Sequence, residues 1–177
     1  MDRQFPRLVI RRDKLRNNFI QIISRCRACG INVAGVIKGV GGLPEIARLY
    51  KECGAAQLAT SRLEQIELWR REGVDGPFLL LRVPGMSELE SLPHLADYSL
   101  QSDVSTLNAL ENVCARQNLT HKVILMADLG DLREGFWDKA EMIRACCHVE
   151  RELPHLILAG VGVNLGCYGS IVPPPAN

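Results

Sequence analysis

The sequence has no excess of charge of either sign. Its 177 residues include 21 lysines and arginines against 20 aspartates and glutamates, which gives a net charge of +1. A protein that binds nucleic acid or an anionic membrane through its overall electrostatic field needs a clear positive excess. We therefore expect no nucleic-acid partner and no association with a membrane.

The sequence also lacks a long apolar run near its start. In residues 1–15, MDRQFPRLVIRRDKL, arginines interrupt the apolar run after about four residues. A secretory signal needs an apolar core of about 7 to 15 residues, and a membrane-spanning helix needs about 20. We expect neither feature, and we expect the protein to be cytoplasmic.

Paired motifs for a metal site are missing as well. The seven cysteines are odd in number and irregularly spaced, which favours reduced thiols over a disulfide framework. Cys26 and Cys29 have the spacing of a zinc-ligand pair, but no second pair follows at the spacing that a zinc site requires. Cys146, Cys147 and His148 are adjacent, and adjacent side chains on a helix point away from one another. We therefore predict no metal site.

Two glycine-rich segments do not meet the requirements of nucleotide-binding motifs. In residues 35–39, GVIKG, the lysine precedes most of the glycines and no serine or threonine follows it, unlike a P-loop. In residues 160–166, GVGVNLG, the third glycine falls one position late and no acidic residue follows to bind a ribose. Neither segment predicts a nucleotide site.

What the sequence does contain is a regular alternation of apolar strands and amphipathic helices. Its composition, 47% apolar and 23% charged, and its length suit one soluble globular domain. The patterns predict a helix capped by Asp103, a helix over residues 136–149, and strands at residues 7–10, 33–37, 56–59, 78–83, 98–100, 122–127 and 156–163. Strands without a polar face, separated by helices, predict an α/β fold with a parallel sheet covered by helices.

The number of strands limits the architecture. Both a barrel and an open doubly wound sheet satisfy the pattern, but a closed (β/α)8 barrel of the TIM type needs eight strands. The chain offers one leading strand and six strands of the βα type, and three prolines at residues 173–175 prevent a helix from following the last one. A barrel would therefore be incomplete, with about six of its eight strands, and the chain would be a fragment.

Residues 31–42, INVAGVIKGVGG, end a buried strand in a single lysine followed by glycines. The simplest interpretation of Lys38 is a solvated lysine at the end of a strand. If Val36 and Ile37 desolvate the amine, however, its pKa is lowered and it becomes a nucleophile suited to a Schiff base. Glycines after it would let a planar cofactor approach the backbone.

Polar side chains also follow two later strands. Asp128 and Arg133 come after strand 122–127, and Asn164, Cys167 and Tyr168 come after strand 156–163. In parallel α/β folds, catalytic groups collect at the carboxyl ends of the strands. In a barrel, these side chains would therefore meet Lys38 at one mouth.

The segment DLGDLREG, residues 128–135, has other interpretations. Asp131 or Glu134 would be favourable near the start of a helix, where the helix dipole stabilises a negative charge. Asp128 and Asp131 also have the spacing of a weak magnesium site, although no phosphate-binding motif supports one. Position alone does not decide among these alternatives.

Four segments together resemble a known family. They are FPRLVI with Asn17 and Asn18 after it, VAGVIKGVGG, ILMADLGDLREGF and LAGVGVNLGCYG. In order and spacing they resemble the alanine-racemase-like family of pyridoxal-phosphate enzymes of fold type III, and they are most similar to its ornithine racemases. The resemblance implies that residues 1–177 form the N-terminal part of a pyridoxal-phosphate-binding (β/α)8 barrel, without the family's C-terminal β domain.

The resemblance implies roles for individual residues. Lys38 would carry pyridoxal phosphate as a Schiff base and abstract the Cα proton as one of two acid/base groups, while the cofactor acts as the electron sink. Arg133 would hydrogen-bond near the phenolic oxygen of the cofactor. Asn164 takes the place where alanine racemases have a histidine beside the pyridine ring. Asp128, Cys167 and Tyr168 are candidates for contacts with the substrate or with these groups.

Two departures from the family pattern concern the identity of the substrate and the parts of the family's active site that this sequence lacks. Alanine racemases continue past the lysine with a tyrosine, whereas this chain has GVGG at residues 39–42, which weighs against alanine and fits a different amino acid. The resemblance to ornithine racemases favours ornithine or another basic amino acid. The family's phosphate-binding loops follow its last two barrel strands. Its second base is a tyrosine from the C-terminal domain of the partner subunit. We therefore expect an amino-acid racemase that is a homodimer in its complete form.

Two other functions stay open at this point. One is a non-catalytic pyridoxal-phosphate-binding protein of cofactor homeostasis, which would use the same barrel without a C-terminal domain. The other is an inactive barrel fragment that serves only in assembly.

Overall fold

The computed structural model describes residues 8–166. Their helices are α1 (Arg12–Ala28), α2 (Pro44–Glu52), α3 (Leu63–Arg71), α4 (Leu92–Leu95), α5 (Val104–Gln117) and α6 (Lys139–Glu152), with short 3-10 helices at Lys38–Val40 and Met86–Glu88. Their strands are β1 (Ala34–Val36), β2 (Gln57–Thr60), β3 (Phe78–Leu80), β4 (Tyr98–Gln101), β5 (His121–Ala127) and β6 (Leu156–Val163).

The strands form one parallel sheet in which each strand pairs with the next along the chain, in the order β1-β2-β3-β4-β5-β6. Parallel neighbours need a crossover connection, and the helices between the strands supply it. Strands β1 and β6 are the two edges of the described sheet, so the sheet is open. The α/β class and the six barrel strands predicted from the sequence are confirmed, and the domain is an incomplete barrel.

Alternation along the strands separates two apolar layers. Phe78 and Leu80 of β3 belong to a large cluster that also contains the buried side chains of the helices, which we call the helix-facing layer. Leu79, between them, belongs to a small cluster on the opposite face of the sheet, which we call the inner face. Its buried members are Ala59, Leu79, Leu100 and Met126. The larger layer holds the sheet to its helices, and the smaller one lines the interior of the incomplete barrel.

The edge strands leave apolar side chains in solvent. Val36 of β1 is 43% exposed, and Val161 of β6 is 65% exposed. Exposed apolar side chains on edge strands, each paired on one side only, are expected for a sheet that has not closed.

Among residues 8–166, no helix is long and apolar enough to cross a bilayer.

The predicted leading strand at residues 7–10 is wrong in its described part. Residues 8–10 lie outside any strand, and Leu8 and Val9 are 75% and 69% exposed. Arg7 lies outside the described residues. A β-strand needs a neighbouring strand for its backbone hydrogen bonds. In the described sheet β1 is an edge strand that pairs with β2, and residues 8–10 do not pair with it.

Helix α6 begins three residues later than predicted. Phe136 pairs with the end of β5 instead: its N–H donates to the carbonyl of Met126 at 2.8 Å, and its carbonyl accepts from the N–H of Asp128 at 3.0 Å. The helix then starts at Lys139, where the Asp138 carboxylate accepts from the N–H of Glu141 at 2.7 Å. Asp103 caps α5 in the same way, as predicted, through the N–H of Thr106.

Candidate active site

Three residues predicted from separate parts of the sequence line one cavity. Lys38 follows β1, Arg133 follows β5 and Asn164 follows β6, and all three border a cavity of about 380 Å³. The other side chains along it are mainly apolar. They are Leu81, one residue past β3, Leu100 of β4, Ile124 and Met126 of β5, and Val161 and Val163 of β6. The carboxyl ends of the strands thus meet as the parallel fold requires. Cys167 and Tyr168 lie outside the described residues.

Backbone geometry fixes the position of Lys38. The N–H of Ile37 donates to the carbonyl of Ala59 at 3.0 Å, which carries the pairing of β1 and β2 one residue past the strand. The carbonyl of Ile37 then accepts from the N–H groups of Val40 and Gly42, both at 3.2 Å, and this closes a tight turn. Lys38 is the first residue of that turn. Its side chain therefore leaves the sheet at the cavity.

The side-chain environment of Lys38 differs from the one predicted. The sequence suggested an amine desolvated by its two neighbours, but Lys38 is exposed and Val36 is 43% exposed; only Ile37 is buried. The reason is the alternation of the strand, which turns Ile37 toward the helices and leaves Val36 and Lys38 on the open inner face. Val36 and Ile37 therefore do not desolvate the amine of Lys38.

One of the glycines after Lys38 has a structural requirement of its own. Gly42 has a φ of +72°, and a Cβ there would lie 2.6 Å from the Cδ of Gln65. The buried Trp69 also donates from Nε1 to the carbonyl of Gly42 at 2.6 Å. Helix α3 therefore holds the segment after Lys38 in place, through the contacts of Gln65 and Trp69 with Gly42. A Cβ at Gly39 or Gly41 would meet no atom of the described residues within 4 Å.

The carboxylate of Asp128 organises the loop between β5 and α6. Its Oδ1 accepts from the N–H of Gly130 at 2.8 Å and from the N–H of Leu132 at 3.1 Å. At the other end of the loop, a Cβ at Gly135 would lie 2.5 Å from the backbone nitrogen of Asp128. Asp128 is not among the residues lining the cavity. It shapes the loop that presents Arg133.

Two acidic residues of the same loop contact the polar cavity groups. Asn164 donates from Nδ2 to Oδ2 of Asp131 at 2.6 Å, and Nε of Arg133 lies 3.4 Å from Oε2 of Glu134. The helix-start interpretation of Asp131 and Glu134 is wrong, because α6 begins at Lys139 with Asp138 as its cap. Sequence reasoning missed the contacts of this acidic pair. The sequence signal that could have indicated these contacts is the position of Asp131 two residues before Arg133 and of Glu134 directly after it.

A second arginine near the strand ends is held by its own partners. Arg82, two residues past β3, donates from Nη1 to Oε2 of Glu88 at 2.7 Å and from Nε to the carbonyl of Ser61 at 2.6 Å. The hydrogen bond with Arg82 lowers the pKa of the Glu88 carboxyl. This pair joins the connections after β2 and β3, and Arg82 is not among the residues lining the cavity.

A separate polar group lies on the helix-facing side of β4 and β5. Ser99 Oγ lies 2.9 Å from Nε2 of His121, and Gln101 donates from Nε2 to Ser99 Oγ at 2.9 Å. All three side chains are at most 2% exposed. Burial lowers the pKa of His121 from 6.5 to about 4, with a smaller opposing effect from Asp97. A substrate cannot reach this serine and histidine, so the group belongs to the fold.

Within residues 8–166, no group of three or more histidine, cysteine, aspartate or glutamate side chains is arranged to hold a metal ion. The magnesium interpretation of Asp128 and Asp131 gains no support there. The Asp128 carboxylate accepts loop N–H groups, and Asp131 accepts from Asn164. Both acidic groups are engaged within the protein.

The alanine racemase N-terminal domain family matches residues 10–176. The chain belongs to this family. A lysine racemase from Thermotoga maritima is 34% identical over 171 residues, which cover 96% of this chain and 46% of that protein. An ornithine racemase from Acetoanaerobium sticklandii is 32% identical over 173 residues, covering 98% of this chain and 48% of that protein. The chain thus spans about half the length of the curated relatives it matches.

A solved structure supports the alanine racemase N-terminal fold independently of sequence. The D-threonine aldolase from Filomicrobium marinum superposes with a TM-score of 0.80 at 19% identity, over 89% of this chain and 43% of that one. At this identity the likeness shows the fold alone. The fold of this chain therefore matches a part of that longer chain.

Proposed function

We propose that the protein containing this chain is a pyridoxal-phosphate-dependent racemase of a basic amino acid, ornithine or lysine. The observation that carries the proposal is the meeting of Lys38, Arg133 and Asn164 in one cavity at the strand ends. Family membership and the two racemase relatives support the reaction class.

The residues of the cavity fit pyridoxal phosphate. A flat aromatic ring suits apolar walls, which Leu100 and Met126 supply, and its polar substituents suit an amine, a guanidinium and an amide, which the three predicted residues supply. We propose that Lys38 holds the aldehyde carbon covalently, that Arg133 hydrogen-bonds the phenolic oxygen and that Asn164 lies beside the ring. When bound, the cofactor supplies an electron sink for the carbanion formed at Cα of the substrate.

Proton transfer on one face of the substrate falls to Lys38. When it is not bonded to the cofactor, the Lys38 amine would accept a proton at Nζ from one enantiomer or donate one to form it, which is general acid–base chemistry. Racemisation also requires a second group on the opposite face. We propose, from the family resemblance, that a tyrosine of the partner subunit's C-terminal domain supplies it, and that the complete protein is a homodimer.

The choice of a basic substrate has two supports. The two curated relatives are named lysine racemase and ornithine racemase. In addition, residues 39–42, GVGG, lack the tyrosine that follows the lysine in alanine racemases. We also propose a cytoplasmic location.

Replacing Lys38 tests the proposal. The protein as its gene encodes it is incubated with pyridoxal phosphate, its visible absorbance is recorded, and racemisation of L-ornithine, L-lysine and L-alanine is followed by chiral chromatography. We expect the basic amino acids to racemise fastest. Lys38→Ala should abolish both the cofactor absorbance band and racemisation, whereas Lys14→Ala, an exposed lysine of α1, should change neither.

Two results would contradict the proposal. Retention of the absorbance band and of racemisation in Lys38→Ala would exclude Lys38 as the amine that holds the cofactor. Cofactor binding by the wild type without racemisation of any amino acid would favour a non-catalytic cofactor-binding protein.

A further inference from the structure

Glu134 is the one carboxylate among the described residues that line the cavity. Its side chain is only 14% exposed, whereas the neighbouring Arg133 side chain is 33% exposed. Burying a carboxylate to this degree costs free energy unless something compensates its charge. Its place beside Lys38, Arg133 and Asn164 therefore needs an explanation.

The contacts of Glu134 account for only part of that charge. Its Oε2 lies 3.4 Å from Nε of Arg133, which is an ion pair longer than a good hydrogen bond. Within residues 8–166, Oε1 makes no hydrogen bond, and the residue does not cap α6. A carboxylate offers about four acceptor positions, so contact with Arg133 leaves room for a second cation.

Resting on the proposed function, we propose that Glu134 determines specificity by accepting a hydrogen bond from the side-chain ammonium of a basic amino-acid substrate. The cavity already holds two cationic side chains, Lys38 and Arg133, so a cationic substrate needs a nearby negative charge to bind. A neutral amino acid of the same length would leave the carboxylate without this partner. A site that expects a polar partner discriminates strongly against a ligand that lacks it.

The test measures binding in place of activity, and each Kd is an apparent value for both enantiomers where the protein racemises the ligand. Calorimetric titration of the cofactor-loaded, gene-encoded protein gives Kd values for L-lysine, L-ornithine and L-norleucine, which is close to lysine in length but lacks its ammonium. In Glu134→Gln we expect the Kd of the basic amino acids to rise about 10- to 100-fold, since the amide oxygen that remains lacks the negative charge that pairs with the ammonium. The Kd of norleucine and the cofactor absorbance should not change.

Two further variants sharpen the result. Glu134→Asp keeps the charge but withdraws it by one methylene, so it should restore part of the affinity for the basic amino acids. Glu67→Gln removes an exposed carboxylate from α3 and should leave every Kd unchanged.

The outcomes distinguish two roles of Glu134, which are binding the ammonium of the substrate and positioning Arg133. If Glu134→Gln weakens norleucine and lysine equally, or reduces cofactor binding, Glu134 positions Arg133 and the inference is wrong. An unchanged Kd for lysine and ornithine would also overturn it, as would a wild type that binds neither. Separate racemisation assays test the proposed function: a wild type that binds ornithine through Glu134 without racemising it contradicts that function and upholds this inference.

Discussion

The two faces of the sheet differ in how completely they are packed. The helix-facing layer joins buried side chains of β2, β3, β5 and β6 to the helices outside, whereas the inner face has four buried apolar residues and borders the open cavity. The candidate catalytic residues lie on the sparsely packed side. We therefore expect the helix-facing layer to supply most of the stability, while the inner face borders the candidate site.

Matched leucine substitutions test this difference most strongly. Leu107→Ala in the helix-facing layer, where the side chain is fully buried, should lower the free energy of unfolding by about 4 kcal/mol. Leu79→Ala on the inner face should cost about 2 kcal/mol, since it enlarges an existing open space instead of creating a closed cavity. Denaturant titrations of the gene-encoded protein measure both values. Equal losses would show that the two faces contribute alike.

The pH dependence of stability probes the helix-facing layer through His121. Its pKa is about 4 in the folded protein against 6.5 ordinarily, so the unfolded chain takes up a proton first as the pH falls. The contribution of His121 to the free energy of unfolding is therefore complete above pH 6.5 and is lost as the pH falls from 6.5 to 4. It amounts to about 3 kcal/mol. Unfolding titrations at several pH values measure it.

Two variants isolate that contribution. His121→Phe should flatten the decline of stability between pH 6.5 and 4, and Ser99 keeps Gln101 as a hydrogen-bond partner in this variant. His94→Ala, at an exposed position on α4, should keep the wild-type profile. A His121→Phe profile identical to that of the wild type would show that protonation of this side chain does not limit stability.

The smallest effect on stability is expected at the mouth of the cavity. Asp128→Ala removes the acceptor for two loop N–H groups, so Arg133 and Glu134 lose their fixed positions. We expect cofactor affinity to fall about tenfold, while the free energy of unfolding falls by less than about 1 kcal/mol. Fluorescence titration with pyridoxal phosphate measures the first quantity, and denaturant titration measures the second.

Asp128→Asn keeps an oxygen acceptor and should recover most of the affinity, whereas Asp75→Ala, at an exposed position before β3, should behave like the wild type. If Asp128→Ala destabilised the whole domain as much as Leu107→Ala does, the loop would belong to the packed fold and the contrast between the two faces would fail.

Much of the fold could be predicted from the sequence because the signals are local. The apolar strands, the helices between them and the Asp103 cap depend on residues a few positions apart, and they are found nearly where predicted. The predictions for the leading strand and for the start of α6 were wrong for one physical reason. Strand pairing depends on which backbone lies alongside, and residues 8–10 have no paired neighbour, whereas Phe136 pairs with β5.

By itself, the sequence determined the fold class, the number of barrel strands and the location of Lys38 at the end of a strand, since periodicity and order along the chain fix these features. Only the tertiary structure decided that Arg133 and Asn164 join Lys38 around one cavity, that Lys38 is exposed, and that Asp128 shapes a loop. The shared cavity brings together residues about 30 to 130 positions apart, which the register of a parallel sheet sets and local pattern does not encode. The Asp128 contacts are local, but they depend on the course that the loop takes between β5 and α6.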